Sequence, residues 1–260
     1  MTLLFLFLGL AVGSFINALA YRINPAPDNR GGVRNRLSII SGRSICPDCR
    51  RTLAWWQLVP VFSYLVLGGR CHYCRKTISP TYPLVELITG LSFAATVYLK
   101  SSLLSAPYLL VIDLSIISLL VFIALYDYKE YLILDAAIFL GVILAALHAY
   151  LVSDFKISVL SGLLLCVFFG TIYFFSKGSW IGLGDVKLGL FLGLFNGALT
   201  VVTLSVGSWV GAIFGIFLIL LGRGNLKTRL PFGTLLSLSA VAVFLAEDVI
   251  TRFLITYFFI

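Results

Sequence analysis

GLGDVKLGLFLGLFNGALT, residues 182–200, sets a carboxylate, Asp185, and an ammonium, Lys187, at the head of an otherwise uncharged run. After Asn196 and Gly197 the chain continues into a second apolar stretch. The passage reads either as a short span over 186–197 followed by another over 198–221, or as one broken span. The whole chain bears on the choice. Of 260 residues, 60% are hydrophobic and only 12% charged, with a mean hydropathy of +1.04. Soluble globular domains do not have this balance, so the expected fold is an all-α polytopic membrane protein. A crossing takes about 20 predominantly apolar residues. On that measure eight spans are expected, at 3–21, 83–99, 107–126, 131–152, 157–176, 186–197, 198–221 and 231–251.

The basic residues favour eight, because Lys and Arg accumulate in cytoplasmic loops. With the N-terminus outside, the inner side receives ten from residues 22–82 together with Lys129, Lys177, Lys187, Arg223, Lys227 and Arg229, which is 16 of the 19. Only Lys100, Lys156 and Arg252 remain outside. Losing one span would invert every later loop. Ala18-Leu19-Ala20 resembles a signal cleavage site, but the basic residues follow the apolar run instead of preceding it, so 1–21 reads as a retained first transmembrane helix. The net charge of +8 lies at the ends of spans, where anionic headgroups account for it. Membrane lipid is the expected partner and nucleic acid is not.

Residues 22–82 form the one long polar stretch and are expected to be a cytoplasmic domain inserted ahead of a membrane core spanning 83–260. Within the domain NPAPDNRGGVRNR, 24–36, reads as a mobile loop, and no internal repeat is expected. Four of the five cysteines lie here, as CPDC at 46–49 and CHYC at 71–74, with 21 residues between the pairs. That spacing points to a zinc site held by Cys46, Cys49, Cys71 and Cys74. Four thiolates leave no open position for water, so the role is structural. Disulfides are disfavoured in a reducing cytosol, and two matched pairs exceed what a single redox exchange needs. His72 reads as a bystander, and Cys166 as a small buried hydrophobe.

The acids sort by depth. Ionisable groups inside spans are costly and mark functional sites. Asp127 closes the third span and Asp185 opens the sixth, on the same side of the membrane, so folding can join them. Asp113 stands 14 residues before Asp127, about 21 Å along a helix, and is too distant to share that site. Asp135 is expected one to two turns inside the fourth span, and Glu86 near the inner end of the second. Two close carboxylates share a proton, an arrangement suited to peptide hydrolysis: one takes a proton from the attacking water while the other hydrogen-bonds the carbonyl. Gly182 and Gly184 are expected to clear side chains from the approach to Asp185. Lys187 is expected to face the headgroups and not to pair with Asp185.

GSFINALAYR near the N-terminus, the two cysteine pairs, SYLVLGGRCHYC running into ISPTYPLVELITG, the acid of ALYDYKEYLILD, GLGDVKLG and finally LPFG occur in an order that resembles the type IV prepilin peptidase family from about residue 8 to 235. The resemblance implies an aspartic protease of the bacterial inner membrane that removes the basic leader of prepilins or pseudopilins on the cytoplasmic side, generally between Gly and Phe. It matches Asp127 and Asp185 to the two catalytic aspartates. Many members also methylate the new N-terminus with S-adenosylmethionine, and Glu86 and Gly90 match positions associated with that activity. Two residues depart from the family pattern: Leu134 and Thr234 stand where proline is common. Two other classes stay open, a transporter relaying protons through Asp113, Asp127 and Asp135, and a zinc-stabilised assembly protein without chemistry. Oligomeric state is not legible.

Overall fold

The computed structural model describes residues 1–23, 43–152, 154–222 and 230–258; the loop expected at 24–36 falls outside them. Among the described residues there are helices and two isolated β-bridges but no strand. Contacts divide the chain into two units, Met1–Ser101 and Ser102–Ile260.

In the first unit, α1 (Thr2–Ile23) and α3 (Thr81–Leu99) are apolar helices of 22 and 19 residues. Between them lie a 3₁₀ turn, Trp55–Leu58, and a short helix, α2 (Phe62–Val66). α1 and α3 pack antiparallel in steps of four residues. Asn17 Nδ2 donates to the Tyr82 carbonyl at 3.0 Å. One turn earlier in α1, a Cβ on Gly13 would stand 2.7 Å from the Glu86 Cα, and another turn back a Cβ on Gly9 would stand 2.7 Å from the Thr89 oxygen. Gly90 faces Leu10 across the same seam, where a Cβ would meet its Cγ at 2.9 Å. Small residues at one-turn intervals let membrane helices meet backbone to backbone, where dispersion supplies the attraction that hydrophobicity cannot.

The second unit contains α4 (Pro107–Glu130), α5 (Asp135–Val152), α6 (Phe155–Ser176), α7 (Leu183–Asn196), α8 (Thr200–Leu220), α9 (Phe232–Leu245) and α10 (Glu247–Phe258). α4 is its core, with Ile116, Ile117 and Leu120 wholly buried, and Pro107 at its first turn brings a backbone angle already suited to a helix. α6 instead presents Leu160, Leu163, Leu164 and Val167 outward, as a lipid-contacting face requires. α6 and α7 run antiparallel and touch where a Cβ on Gly193 would come 2.3 Å from the Gly162 Cα.

The passage 182–200 resolves into a reversal. α8 runs antiparallel to α9: Gly207, Gly211 and Gly215 face Leu236, Leu235 and Leu230 in turn. α7 runs parallel to α9, because its start shares Ile133 with Gly233 while Asn196 at its end donates to the Ala240 carbonyl. The chain therefore turns back between Asn196 and Thr200. Gly197 makes the break with φ 51° and ψ −125°, a conformation that side chains disfavour, and Asn196 Nδ2 spans the turn to Thr203 Oγ1 at 2.6 Å.

Among the described residues, six helical stretches are long and apolar enough to cross a membrane. The spans expected at 186–197 and 198–221 correspond to one of them, Leu183–Leu220. The expected span 231–251 is shorter than predicted: α9 ends at Leu245, and after Ala246 a separate helix begins on Glu247 and Asp248, acids that suit the positive end of a new helix better than the interior of an old one. The fourth span also starts later than predicted. Tyr131 takes the left-handed conformation, φ 52°, and caps α4 through its N–H to the Asp127 carbonyl at 2.8 Å, so α5 begins only at Asp135.

Candidate active site

Asp127 sits in the last turn of α4, 6% exposed. The start of α9 closes over it. Its Oδ2 accepts the Thr234 backbone N–H at 2.7 Å and lies 3.1 Å from the Thr234 hydroxyl. That hydroxyl also lies 2.9 Å from the Ala124 carbonyl. A hydroxyl has one proton and two lone pairs, so Thr234 can donate to an ionised Asp127, or donate to Ala124 while accepting from a protonated one. Gly233 makes this approach feasible: a Cβ there would lie 3.0 Å from Asp127 Oδ2 and 2.9 Å from Ile133 Cδ1. Neither Gly233 nor Thr234 is among the residues expected at the site. Their signal was LPFGT itself, with Thr234 visible only as a departure from a family pattern.

Asp185 is the third residue of α7 and accepts the Gly182 N–H at 3.1 Å. This N-terminal turn leaves backbone donors unpaired and suits a carboxylate. Asp127 and Asp185 lie within electrostatic reach of each other, and Ile133, in the turn between α4 and α5, touches the glycine beside each. Gly184 differs from expectation. The space its missing Cβ leaves is taken by Ile133, 3.1 Å away at its Cβ, so this glycine serves packing. A Cβ on Gly182 would meet Asp185 Oδ2 at an ordinary 3.6 Å.

Lys187 turns away from Asp185, as expected, but it is not confined to the headgroups: its Nζ pairs with Asp135 Oδ1 at 2.7 Å. Asp135 stands at the first position of α5 and not one or two turns inside it, with its side chain 74% exposed. Asp113 is remote from this cluster in α4 and nearly inaccessible. Its Oδ1 meets His148 Nε2 of α5 at 3.2 Å, and the His148 ring packs edgewise on Phe195 and Phe244.

In the first unit the four cysteines converge, their Sγ atoms within 4.8 Å of one another and Cys46 to Cys74 at 4.0 Å. Tetrahedral zinc with bonds of about 2.3 Å sets sulfur separations of about 3.8 Å, so the cluster fits that ion. Burial pushes the Cys46 thiol up to about 12, whereas at Cys71 burial is outweighed by the backbone amides of Cys74 and Tyr73, which hold it down to about 7. Metal binding must then displace protons. His72 is outside the cluster, its ring against Trp56 and Tyr73.

The two knuckles form a repeat, contrary to expectation. CPDCRRT at 46–52 and CHYCRKT at 71–77 each carry an Arg with positive φ after the second cysteine, 56° at Arg50 and 60° at Arg75. Each also folds back from its first cysteine N–H, 3.0 Å to Arg51 O and 2.9 Å to Lys76 O. Asp48 and Lys76 join the two by an ion pair.

Glu86 and Gly90 are engaged within the first unit. Glu86 is 8% exposed, and its Oε2 accepts the Val61 N–H at 2.7 Å; Gly90 is pressed on Leu10.

The profile of the Bacterial Peptidase A24 N-terminal domain matches residues 7–100. A prepilin leader peptidase/N-methyltransferase from Bacillus subtilis (strain 168) is 31% identical over 98% of both chains. One of the same name from Aeromonas hydrophila is 30% identical over 99% of this chain and 94% of its own, and one from Pseudomonas putida is 29% identical over 93% and 90%. No solved structure matches. With such identity sustained from one end to the other, the chain belongs to the prepilin leader peptidase/N-methyltransferase family.

Proposed function

We propose that the chain is a multi-pass inner-membrane aspartic peptidase that removes the basic leader of type IV prepilins or pseudopilins at the cytoplasmic face, Asp127 and Asp185 being its catalytic pair. In this reading it crosses the membrane eight times with its N-terminus outside, α7 and α8 counting as two passes because the chain reverses between them. One observation carries the catalytic assignment: a buried carboxylate at a helix end, fixed by two donors of Thr234, within electrostatic reach of a second carboxylate at a helix start.

The chemistry needs one proton shared between the two. The ionised carboxylate takes a proton from water as its oxygen bonds to the scissile carbonyl carbon, and the protonated one hydrogen-bonds the carbonyl oxygen. As the tetrahedral intermediate collapses the C–N bond breaks, and the amine leaves with a proton supplied by the pair. Through this cycle the protonation of Asp127 alternates, and the Thr234 hydroxyl can follow it by exchanging its role between donor and acceptor. Zinc on Cys46, Cys49, Cys71 and Cys74 would hold the small domain together and take no part in the reaction.

The relatives' name also carries N-methylation, which implies S-adenosylmethionine as methyl donor. Glu86 and Gly90 would serve that activity by fixing the first unit's framework. The test of the peptidase reading is a leader-sized mass loss from a purified prepilin. Wild type should cleave, while Asp127→Asn and Asp185→Asn, folded and inserted, should not. Full activity in either variant would remove the pair from the chemistry and reopen the transport and assembly readings.

A further inference from the structure

We propose that Trp55–Gly69 is a membrane-seated anchor: it buries its apolar side chains among the headgroups and upper acyl chains of the leaflet next to the cysteine domain. The sequence WWQLVPVFSYLVLGG, 55–69, carries no charge, although the residues around it are the most polar of the chain. It does not use its apolar side chains as a core. Trp55 is 80% exposed, Leu65 70%, Phe62 63% and Val66 61%.

Two observations say what covers them. The first is depth. Val61, at the centre of the segment, is bonded through its N–H to Glu86, five residues inside α3, or about 7.5 Å along the helix. At that same level α3 turns Leu84 and Leu87 outward, so the surroundings there already accept bare leucine. Val61 holds φ 60°, a conformation costly for a β-branched residue and kept only where neighbours enforce it. The Glu86 carboxylate is such a neighbour, and it pins the turn at this depth. The second observation is the boundary of the segment. Arg50 and Arg51 precede it and Arg70 follows it, all exposed, while Trp55 and Trp56 stand at its start. Tryptophan at the interface and arginine toward anionic headgroups are the pattern of a chain lying in a leaflet.

The segment also reaches the metal cluster, since Trp56 packs on His72 within the second knuckle. The anchor thereby fixes the height of the cysteine domain above the bilayer. This inference is independent of which reaction the chain performs.

The test uses the full-length chain in nanodiscs of phosphatidylcholine and phosphatidylglycerol. Trp56, Trp180 and Trp209 are replaced by Phe, leaving Trp55 as the only tryptophan. Lipid brominated high in the acyl chain should reduce Trp55 emission about twofold or more, and iodide should quench it at least about threefold less than free tryptophan amide. Iodide quenching equal to that of the free amide, with no effect of brominated lipid, would place the segment in water and overturn the proposal. Shielding from both quenchers would mean that protein covers it, a second copy or a substrate helix, and would overturn it equally. If the triple replacement loses the fold, the difference between wild type and Trp55→Phe gives the same two readings.

Discussion

Replacing Thr234 by Val removes one hydroxyl at nearly constant shape and keeps the backbone donor to Asp127. The hydroxyl lies 3.1 Å from Asp127 Oδ2 and 2.9 Å from Ala124 O, so it contributes one hydrogen bond shared between two acceptors. Such a bond to a carboxylate is worth about 1–2 kcal/mol net, which corresponds to about 5- to 30-fold in rate if it acts in the transition state. The backbone N–H at 2.7 Å remains, so activity should fall and not vanish. Cleavage of a purified prepilin over a range of concentrations separates the constants. Because the hydroxyl acts through Asp127, the loss should appear in kcat with KM little changed. Thr234→Ser, which keeps the hydroxyl, should recover most of it. If Thr234→Val cleaves as fast as wild type, or Thr234→Ser is as slow as Thr234→Val, the hydroxyl does not serve Asp127.

Gly233→Ala inserts a methyl 3.0 Å from Asp127 Oδ2 and 2.9 Å from Ile133 Cδ1. Overpacking of about 1–3 kcal/mol should cut cleavage more than Thr234→Val does, with insertion into the membrane unchanged; wild-type rates would show that Asp127 does not need its present position. Lys187→Met removes an exposed pair worth at most about 1 kcal/mol, so cleavage assays should change by less than about fivefold, and complete loss would give Lys187 a direct part in the reaction. Stripping the metal with a chelator should release one zinc per chain by elemental analysis and expose four further reactive thiols, while Cys46→Ser should weaken zinc retention at once. A chain without bound metal when purified in excess zinc would end the structural zinc reading.

The membrane helices were legible because hydrocarbon leaves a helix little choice: backbone groups must pair within it and side chains must be apolar. Hence α1, α3, α4 and α6 lie close to where composition puts them. The limits of elements were less legible where polar contacts set them. α5 starts at Asp135 because Tyr131 caps α4, and the last predicted span divides at Ala246 ahead of two acids, neither of which alters mean hydropathy. Of the candidate site, Asp127 and Asp185 stood out as acids at helix ends. Thr234 and Gly233 did not, since a backbone N–H aimed at a carboxylate from 107 residues away leaves no local pattern. The knuckle repeat was readable in C-x-x-C-R-[RK]-T, but attention to the cysteines alone passes over the positive-φ arginine that each copy places after them. The apolar run 55–69 was hidden by averaging over the polar residues on both sides of it.

The glycine seam between α1 and α3 bears on how the chain is made. α1 is synthesised before α3, and residues 24–80, 57 in all, must follow it before α3 exists. Throughout that interval the Gly9 and Gly13 face lacks the partner it has in the finished fold. All four cysteines are translated before α3 is complete, so metal can close the knuckles while the seam is still open. Folding the knuckles shortens the loop that α3 must close, and each halving of a loop lowers its closure cost by about 0.6 kcal/mol. Biogenesis thus has an order written into it, in which the cysteine domain matures while the seam is open and α3 then docks against α1.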